Sequence, residues 1–174
     1  MWDFFETVRH RHSIRRYQEQ TAIEPGKLHA ILEMACAAPS AGDLQSYQII
    51  VVSAPATRAA LRRAADDQEF ISEAPVCLVF CADQQRSAKQ FQQRGENLYA
   101  IQDATIAAAY AQLAIVAAGM GSTWVGQFDE TAVRHILGHD ESLLPIALLS
   151  LGYPAELPTT TARRSMDEVI TYLE

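Results

Sequence analysis

Short apolar runs and longer amphipathic segments alternate along the chain, and this pattern predicts strands separated by helices. Apolar, β-branched runs predict buried strands at residues 47–52, 75–82 and 146–151, with a shorter one at 123–125. Helical spacing and helix-end residues predict helices at residues 1–8, 25–37, 53–65, 94–118 and 129–137. The resulting order, α-α-β-α-β-α-β-α-β, predicts a sheet that is covered by helices on both faces.

Residues that start or end helices support these boundaries. Pro25 suits the first turn of the second helix, and Ser53 is a possible cap of the third. Asp129 caps the last helix and Gly138 ends it. The helix over residues 94–118 is apolar nearly all round, which predicts that it is enclosed on most sides. Its apolar stretch is shorter than about 20 residues and includes polar ones, so it is typical of a buried helix rather than a membrane span.

The chain has 174 residues, of which 49% are hydrophobic and 20% are charged, a composition typical of one globular domain over residues 1–174. The formal net charge of −7 argues against a nucleic-acid partner, because binding nucleic acid requires a basic face. The positive charge is nevertheless concentrated near the two ends of the chain. It lies in Arg9, Arg11, Arg15 and Arg16 at one end, and in Arg163 and Arg164 at the other.

The cysteines and the first residues indicate the compartment. An odd number of cysteines without a Cys-x-x-Cys motif argues against a disulfide framework. Cys77 and Cys81 lie four residues apart in a predicted strand, so both face one side, and we interpret them as buried core thiols. The first residues lack the apolar stretch of a signal peptide. We therefore expect a cytoplasmic protein that does not bind a membrane.

The basic segment Arg11-His12-Ser13-Ile14-Arg15 is the first candidate for chemistry. Arginine side chains offer forked donors to phosphate oxygens, and Ser13 adds a hydroxyl and a backbone N–H in a predicted loop. The alternative is a solvated basic face at the end of a helix, where cations favour the helix dipole. Arg163, with Arg164 as a fallback, reaches the same anion only if the two ends of the chain meet.

Two further segments offer polar groups next to small residues. In the loop over residues 38–45, Ser40, Asp43 and Gln45 supply hydrogen-bonding groups, and the small residues allow a flat ligand to approach. An ordinary turn requires the same residue types, so both interpretations stay open. Gly126 follows a predicted strand, where backbone N–H groups can face a ligand.

Metal and hydrolytic sites receive little support. His135 and His139 have helical spacing, but Gly138 ends the predicted helix between them and no third ligand is evident, so we expect no metal site. No Gly-x-Ser-x-Gly motif occurs, which argues against a serine hydrolase of that type.

Four segments in register resemble the FMN-dependent nitroreductase family. They are Arg-His-Ser-Ile-Arg-Arg-Tyr at residues 11–17, the loop at 38–45, residues 118–130, and Leu-Ser-Leu-Gly-Tyr-Pro at 149–154. The resemblance extends over nearly the whole chain, which is similar to a compact member without large insertions. It implies an α+β fold, a three-layer α/β/α sandwich with a mixed central sheet. It also implies a homodimer in which a C-terminal arm, about residues 153–174, is exchanged and packs on the partner.

The resemblance further implies two FMN sites at the subunit interface. Positions that hold the FMN phosphate and neighbouring groups are matched by Arg11, His12, Ser13 and Arg15, with Arg163 as a late cation that reaches the same phosphate. The loop that the partner lays against the flavin is matched by Pro39, Ser40, Ala41, Asp43 and Gln45. The backbone stretch that faces the flavin ring is matched by Gly126 and Gln127. We expect the walls of the substrate pocket to include Tyr99, Trp124 and Phe128, although ordinary core packing explains each of them equally well.

The chain departs from the family pattern in three places. Asp43 stands where asparagine is commoner, so an amide donor is replaced by an acceptor. Ser46-Tyr47 replaces a frequent Pro-Trp pair, which alters the floor of the substrate pocket. No lysine matches the one that some members place near the flavin N1–O2 edge, where Gln68 is a candidate neutral donor.

The implied chemistry is oxidoreduction in which the flavin carries the electrons, so no catalytic residue of the protein is assigned. NADH or NADPH reduces FMN and leaves, and a nitroaromatic or quinone-like acceptor then takes two electrons in the same space, which gives ping-pong kinetics. Two alternatives stay open. One is a different redox reaction at the same site, such as reductive dehalogenation or flavin fragmentation, and the other is a flavin-binding regulatory module without turnover.

Overall fold

The computed structural model describes residues 3–18, 21–138, 142–156 and 160–173. The helices in these ranges are α1 (Phe4–His10), α2 (Pro25–Cys36), α3 (Pro55–Ala64), α4 (Phe70–Glu73), α5 (Gln84–Arg94), α6 (Ala100–Ala117), α7 (Glu130–Leu137) and α8 (Met166–Val169). The strands are β1 (Tyr47–Val52), β2 (Val76–Asp83), β3 (Gly121–Val125) and β4 (Leu143–Gly152). A 3₁₀ turn covers Ala41–Asp43, and a π-helical segment, Gly95–Tyr99, joins α5 to α6.

The four strands form one sheet in the order β1-β2-β4-β3, and every ladder between them is antiparallel. The sheet is therefore antiparallel where we expected a mixed one. Cys77, near the start of β2, lies opposite Val52 at the end of β1. The helices between β1 and β2 therefore bring the chain back to the same end of the sheet. Within the described residues, parallel pairing occurs at an isolated bridge between Ser13 and Ser122.

Helices cover both faces of this sheet, which confirms the α+β class and the three layers. Helices α2 and α6 pack on one face, and α3, α4 and α7 pack on the other. Strand β2 is buried at every position except its last, Asp83. A strand covered on both faces is expected to be apolar throughout, which explains its continuous hydrophobic run.

Most predicted elements are confirmed, and the errors have physical causes. Asp129 caps α7 by accepting a hydrogen bond from the Ala132 N–H at 2.9 Å, and Gly138 ends the helix with a φ of 66°. Ser53 does not cap α3, because the N-cap position falls on Ala54 and the Ser53 carbonyl accepts from the Arg58 side chain. The sequence analysis missed α4, which has only four residues, and α5, whose glutamine-rich sequence is mostly polar.

Both thiols of β2 lie in the core, as predicted. Cys77 and Cys81 pack in the cluster between β2 and the layer of α3, α4 and α7. Burial raises the pKa of each thiol to about 12, because a thiolate in an apolar environment loses its hydration. Cys36, at the end of α2, is exposed.

The segment that follows α1 crosses the ends of β3 and β4. The Ile14 N–H donates to the Ser122 carbonyl at 3.1 Å, and the Thr123 hydroxyl donates to the Ile14 carbonyl. The Tyr17 hydroxyl is buried against Ser150, with its oxygen 3.0 Å from the carbonyl and 2.9 Å from the hydroxyl of that residue. These bonds fix the backbone on either side of Arg15.

Two glycines allow this crossing. A Cβ atom on Gly121 would lie 2.3 Å from Cγ1 of Ile14, and one on Gly152 would lie 2.9 Å from Cδ1 of Tyr17. No side chain fits at such distances, so the strands accept the segment only where they lack one.

Tyr153 connects the end of β4 to the start of α2. Its hydroxyl donates to Oε2 of Glu24 at 2.5 Å and accepts from Nζ of Lys27 at 2.6 Å. The bond from Tyr153 lowers the pKa of Glu24 to about 2, because it stabilises the carboxylate. Tyr153 of the 149–154 motif thus joins the end of β4 to the start of α2 by hydrogen bonds.

Residues 160–173 of the C-terminal arm are exposed throughout, whereas Tyr153, Pro154 and Glu156 at its start are partly buried. The apolar side chains of residues 160–173 include Met166, Val169, Tyr172 and Leu173, the last of them 94% exposed. Leu157, another apolar residue of the arm sequence, lies outside the described residues. An exposed series of large apolar residues is typical of a segment that packs on another surface.

The helical run over residues 84–117 is long and apolar enough, by length and composition, to cross a membrane. In the most apolar part of this run, 44% is buried inside the protein. Ala104, Ala107, Ala111 and Ile115 of α6 are fully buried beside the sheet, so the run contains the core helix of the fold.

Candidate functional site

The basic segment lies where α1 ends and the crossing begins. Arg11 is the C-cap residue of α1 and is half-buried, whereas Arg15 is exposed. Among the described residues, no carboxylate oxygen lies within 4 Å of either guanidinium. These side chains therefore remain available to an anion with several oxygens, such as a phosphate.

A carboxylate already binds the backbone of this segment. Oε1 of Glu156 accepts from the Arg15 N–H at 2.6 Å and from the Arg16 N–H at 3.2 Å. The backbone donors at these two positions are thus engaged, and the arginine side chains are the groups left for a ligand. The sequence analysis missed Glu156, since nothing in a chain separation of 141 residues signals this contact.

The loop over residues 38–45 is held from inside by one buried carboxylate. Oδ1 of Asp103 accepts from the Ala41 N–H at 2.9 Å, and Oδ2 accepts from the Ser46 N–H at 3.2 Å. Asp103 is only 2% exposed, so it is a fixed acceptor that holds the loop in its middle, at Ala41, and just after its end, at Ser46. The sequence analysis missed it because it lies in the first turn of an apolar helix, where an acidic residue is also expected for the helix dipole.

The loop backbone adopts an unusual conformation between these anchors. Gly42, Asp43 and Gln45 have φ angles of 57°, 54° and 45°, in the left-handed region that costs energy for residues with a side chain. The Ser40 hydroxyl accepts from the Gln45 N–H at 3.0 Å. Aspartate tolerates this region better than most residues, which gives Asp43 a structural reason to be there.

A cavity of about 480 Å³ opens beside the loop. Its wall includes Pro39, Ser40, Ala41 and Tyr99, together with residues of α6. Of the three expected substrate-pocket residues, Tyr99 lies at this cavity. Trp124 packs on the layer of α2 and α6, whereas Phe128 packs on the core of the opposite layer. One subunit therefore does not bring these three aromatic rings together.

Gly126 and Gln127 follow β3 and are exposed, as expected for a stretch that faces a ligand. The Gln127 side-chain amide donates to Oδ2 of Asp66 at 2.9 Å, so its backbone is the part left free to interact. Gln68, the candidate neutral donor, uses its amide on the Ala65 carbonyl at 3.1 Å. Ser46, which replaces a proline of the family pattern, is fully buried beneath the loop.

The structure separates the basic segment from the loop. Ser13 bridges to Ser122, at the end of the sheet where β2 begins, as the pairing of Gly121 with Gly152 and of Val76 with Leu151 shows. The loop leads into Tyr47, which pairs with Ala82 at the other end of β2. The six steps from Val76 to Ala82 along β2, about 20 Å at roughly 3.3 Å per residue, separate these ends. Within one subunit these groups cannot contact the same small ligand.

Arg163 and Arg164 interact within the arm. The Arg163 guanidinium donates to the Thr161 hydroxyl at 2.6 Å, and Arg164 forms an ion pair with Glu168 at 3.5 Å. Neither contacts the basic segment among the described residues. His139 lies outside the described ranges, and within them no group of three or more histidine, cysteine, aspartate or glutamate residues is arranged to hold a metal ion.

Comparison with known proteins places this geometry in one family. The model of the nitroreductase family matches residues 8–68 and 65–153. A protein of Thermus thermophilus named NADH dehydrogenase is 35% identical, over 93% of this chain and 92% of its own length. A Bacillus subtilis protein named FMN reductase (NADPH) is 27% identical, over 87% of this chain and 66% of its own. The solved structure of Bacillus megaterium NfrA2 superposes with a TM-score of 0.91 at 26% identity, covering 98% of this chain and 74% of that one.

The chain belongs to the nitroreductase family. The matched residues contain the basic segment, the loop at 38–45 and the stretch after β3.

Proposed function

We propose that this protein is an FMN-dependent NAD(P)H oxidoreductase that transfers two electrons to nitroaromatic or quinone-like acceptors. The observation that carries the proposal is the pair of unneutralised guanidinium groups of Arg11 and Arg15 on a backbone that is fixed to the sheet. The names of the relatives agree with this activity, since they include an FMN reductase and an NADPH-flavin oxidoreductase.

The residues present fit FMN in charge and in shape. Arg11 and Arg15, with His12 and Ser13, form a phosphate site, because forked cationic donors suit an anion with two or three oxygens. The loop from Pro39 to Gln45 offers backbone and small side chains on which a flat ring system can lie, and the cavity beside it leaves room for a redox partner. Gly126 is exposed and has no side chain, so at this position the stretch presents its backbone.

The site requires two copies of the chain. The basic segment and the loop lie at opposite ends of β2, so a homodimer that places the loop of one copy against the basic segment of the other would complete each site. Apolar residues exposed on α1, α6 and the arm favour such a dimer. They include Phe4, Phe5, Tyr110 and Leu173. In the dimer, the arm packs on the partner and Arg163 reaches the phosphate.

When bound, FMN supplies the two-electron carrier that NADH or NADPH reduces and that the acceptor reoxidises. The protein binds and orients this group. The loop that Asp103 fixes shapes the space that the electron donor and the electron acceptor occupy in turn. A single shared space gives ping-pong kinetics. The protein is expected to act in the cytoplasm, and no acid–base residue is assigned.

Anaerobic reduction of the purified holoprotein tests the proposal. We expect a yellow protein that loses its flavin absorbance on addition of NADH or NADPH and recovers it with a nitroarene or a quinone. Arg15→Ala should weaken FMN binding about tenfold or more, because a charge-assisted hydrogen bond is lost. Arg63→Ala, which removes an exposed cation on α3, is the matched control and should bind FMN like the unaltered protein.

A colourless protein that cannot bind added FMN would overturn the proposal. Binding without reduction by either nucleotide would instead favour a regulatory flavin module. Reduction without reoxidation by either class of acceptor would favour a different redox reaction, such as reductive dehalogenation or flavin fragmentation.

A further inference from the structure

Helix α5 carries a local excess of positive charge in a protein whose net charge is negative. Its sequence, Gln84–Arg94, contains Arg86, Lys89 and Arg94 and no acidic residue, whereas the chain has a net charge of −7. The π-helical segment that follows it is a rare conformation that often occurs at functional sites. Arg94 lies at the junction of the two.

The Arg94 side chain is held against the ring of Tyr99. Its Nε donates to the Tyr99 hydroxyl at 3.0 Å, and its guanidinium carbon lies 5.4 Å from the ring centroid. The Tyr99 ring meets Phe91 edge to face, with centroids 5.1 Å apart and an interplanar angle of 85°. Phe91 in turn lies against the loop, since a Cβ on Gly42 would be 3.0 Å from its Cζ. Aromatic packing thus fixes the cation beside the loop.

Tyr99 connects this cation to the cavity. The ring lines the 480 Å³ cavity together with Pro39, Ser40 and Ala41. Asp103, the acidic residue of the same wall, directs both carboxylate oxygens to backbone N–H groups of the loop. It therefore does not neutralise Arg94.

Arg94 keeps most of its donors free. Within the ranges that the structure describes, no carboxylate oxygen lies within 4 Å of its guanidinium, and its hydrogen bond uses Nε alone. The two terminal nitrogens, with four N–H groups, are left for a ligand. The other cations of α5 differ in their surroundings. Arg86 also donates through Nε alone, to the Leu44 carbonyl at 2.5 Å, but among the described residues neither Arg86 nor the exposed Lys89 lies over an aromatic ring.

We propose that Arg94 binds an anionic group, a phosphate or a carboxylate, of the redox partner that occupies this cavity. The proposal rests on the oxidoreductase function proposed above and adds that one of its redox partners is bound through an anionic group. Two sources offer this chemistry: the phosphates of the nicotinamide dinucleotide, and a carboxylate on the electron acceptor. A guanidinium that is held by the Tyr99 hydroxyl and ring and keeps two terminal nitrogens free suits either of them, because its terminal N–H groups are preoriented.

Steady-state kinetics of Arg94→Gln test the proposal with four partners. The donors are NADH and NADPH, each with a neutral quinone, and the acceptors are that quinone and a nitroarene that carries a carboxylate. We expect the KM of the anionic partner to rise about tenfold more than the KM of the neutral quinone, the size of one charge-assisted contact. The difference should shrink toward about 0.5 M salt, because added ions screen an accessible charge.

The pattern identifies the group that binds. A rise for NADPH alone assigns the 2′-phosphate, a rise for both nucleotides assigns the pyrophosphate, and a rise for the carboxylated nitroarene alone assigns the acceptor. Arg94→Lys keeps the charge but loses the fork, so its KM should lie between those of the unaltered protein and Arg94→Gln. Lys89→Gln removes the same charge from the same helix and should leave every KM unchanged.

Two results would overturn the proposal. One is an equal change, or none, for anionic and neutral partners, as expected if Arg94 only braces Tyr99. The other is the same effect in Lys89→Gln, which would indicate that the overall positive charge of α5 acts, rather than Arg94 itself. If the proposed oxidoreductase function is wrong, the result differs from both of these, because the unaltered holoprotein would then not be reduced by either nucleotide.

Discussion

A single buried carboxylate determines the shape of the loop at the site. Asp103 has no cation near it in the described structure, and its two oxygens are matched to two backbone N–H groups, those of Ala41 and Ser46. Such an arrangement satisfies a buried charge by hydrogen bonds alone. It also holds Gly42, Asp43 and Gln45 in the left-handed conformation, because both ends of the loop are fixed.

Asp103→Asn should therefore be costly despite its unchanged shape. The amide keeps one acceptor oxygen but turns an N–H donor toward the second backbone N–H, which leaves that donor unsatisfied. We expect a loss of about 1–3 kcal/mol in the free energy of unfolding and weaker FMN binding, measured by chemical denaturation and flavin titration. Asp67→Asn, which weakens an exposed ion pair with Arg62, is the control and should change stability by less than about 1 kcal/mol. Equal effects of the two variants would contradict this role of Asp103.

The buried thiols predict a loss of stability at alkaline pH. The pKa of Cys77 and of Cys81 is raised to about 12 in the folded state, above roughly 8.5 for an unfolded thiol. Above about pH 8.5 the unfolded chain loses protons that the folded chain keeps, so stability falls as pH rises toward 12. Urea denaturation at several pH values checks this slope, which should diminish in Cys77→Ala and Cys81→Ala. Cys36→Ser, at an exposed thiol, should keep it, and an unchanged slope in the core variants would refute the assignment.

At the scale of elements, the crossing of residues 13–17 over β3 and β4 positions the arginines. Gly121 permits it, since a Cβ there would lie 2.9 Å from Cβ and 2.3 Å from Cγ1 of Ile14. Gly121→Ala should displace the segment, lower the free energy of unfolding by about 1–3 kcal/mol and weaken FMN binding. Gly26→Ala, in α2 with nothing within 4 Å, should instead be neutral or stabilising by up to about 1 kcal/mol. Unchanged stability and flavin affinity in Gly121→Ala would show that the crossing does not position the site.

The elements show how far the sequence predicts the fold. Strands β2 and β4 are apolar along nearly their whole length because they are covered on both faces, and such a pattern can be recognised locally in the sequence. The cap at Asp129 and the stop at Gly138 are also local and were predicted correctly. Helix α5 has few apolar residues, so its position depends on contacts with the loop that no local pattern reports. The antiparallel order of the sheet likewise depends on where each helical connection returns, which the sequence does not state.

The site was predicted less completely than the fold. Arg11, Arg15 and the loop from Pro39 to Gln45 could be proposed from the sequence because their residue types suit a phosphate and a flat ring system. Asp103 and Glu156 act through backbone N–H groups far away in the chain, so only the fold brings them into view. Trp124 and Phe128 were grouped by their chemistry, yet they pack on opposite faces of the sheet.

At the scale of the whole molecule, the decisive feature is the distance between the basic segment and the loop over residues 38–45. The arginines and the loop lie at opposite ends of β2, so the proposed flavin site joins groups from two copies. The exposed apolar arm and the exposed aromatic residues of α1 supply surface for that association. The acidic net charge leaves the basic segment as a local feature, which suits a small anion rather than a nucleic acid.

Mixed dimers test whether each flavin site combines groups from two chains. One chain carries Arg15→Ala, which weakens the phosphate site, and the other carries Ala41→Trp, which fills the space beside the loop. Each variant alone should form dimers that bind little FMN. In the mixed dimer, purified through two different tags, one site combines the intact loop of the first chain with the intact arginines of the second. We predict about one FMN per mixed dimer, measured by flavin absorbance, whereas a mixed dimer that binds no more FMN than its parents would show that each site lies within one chain.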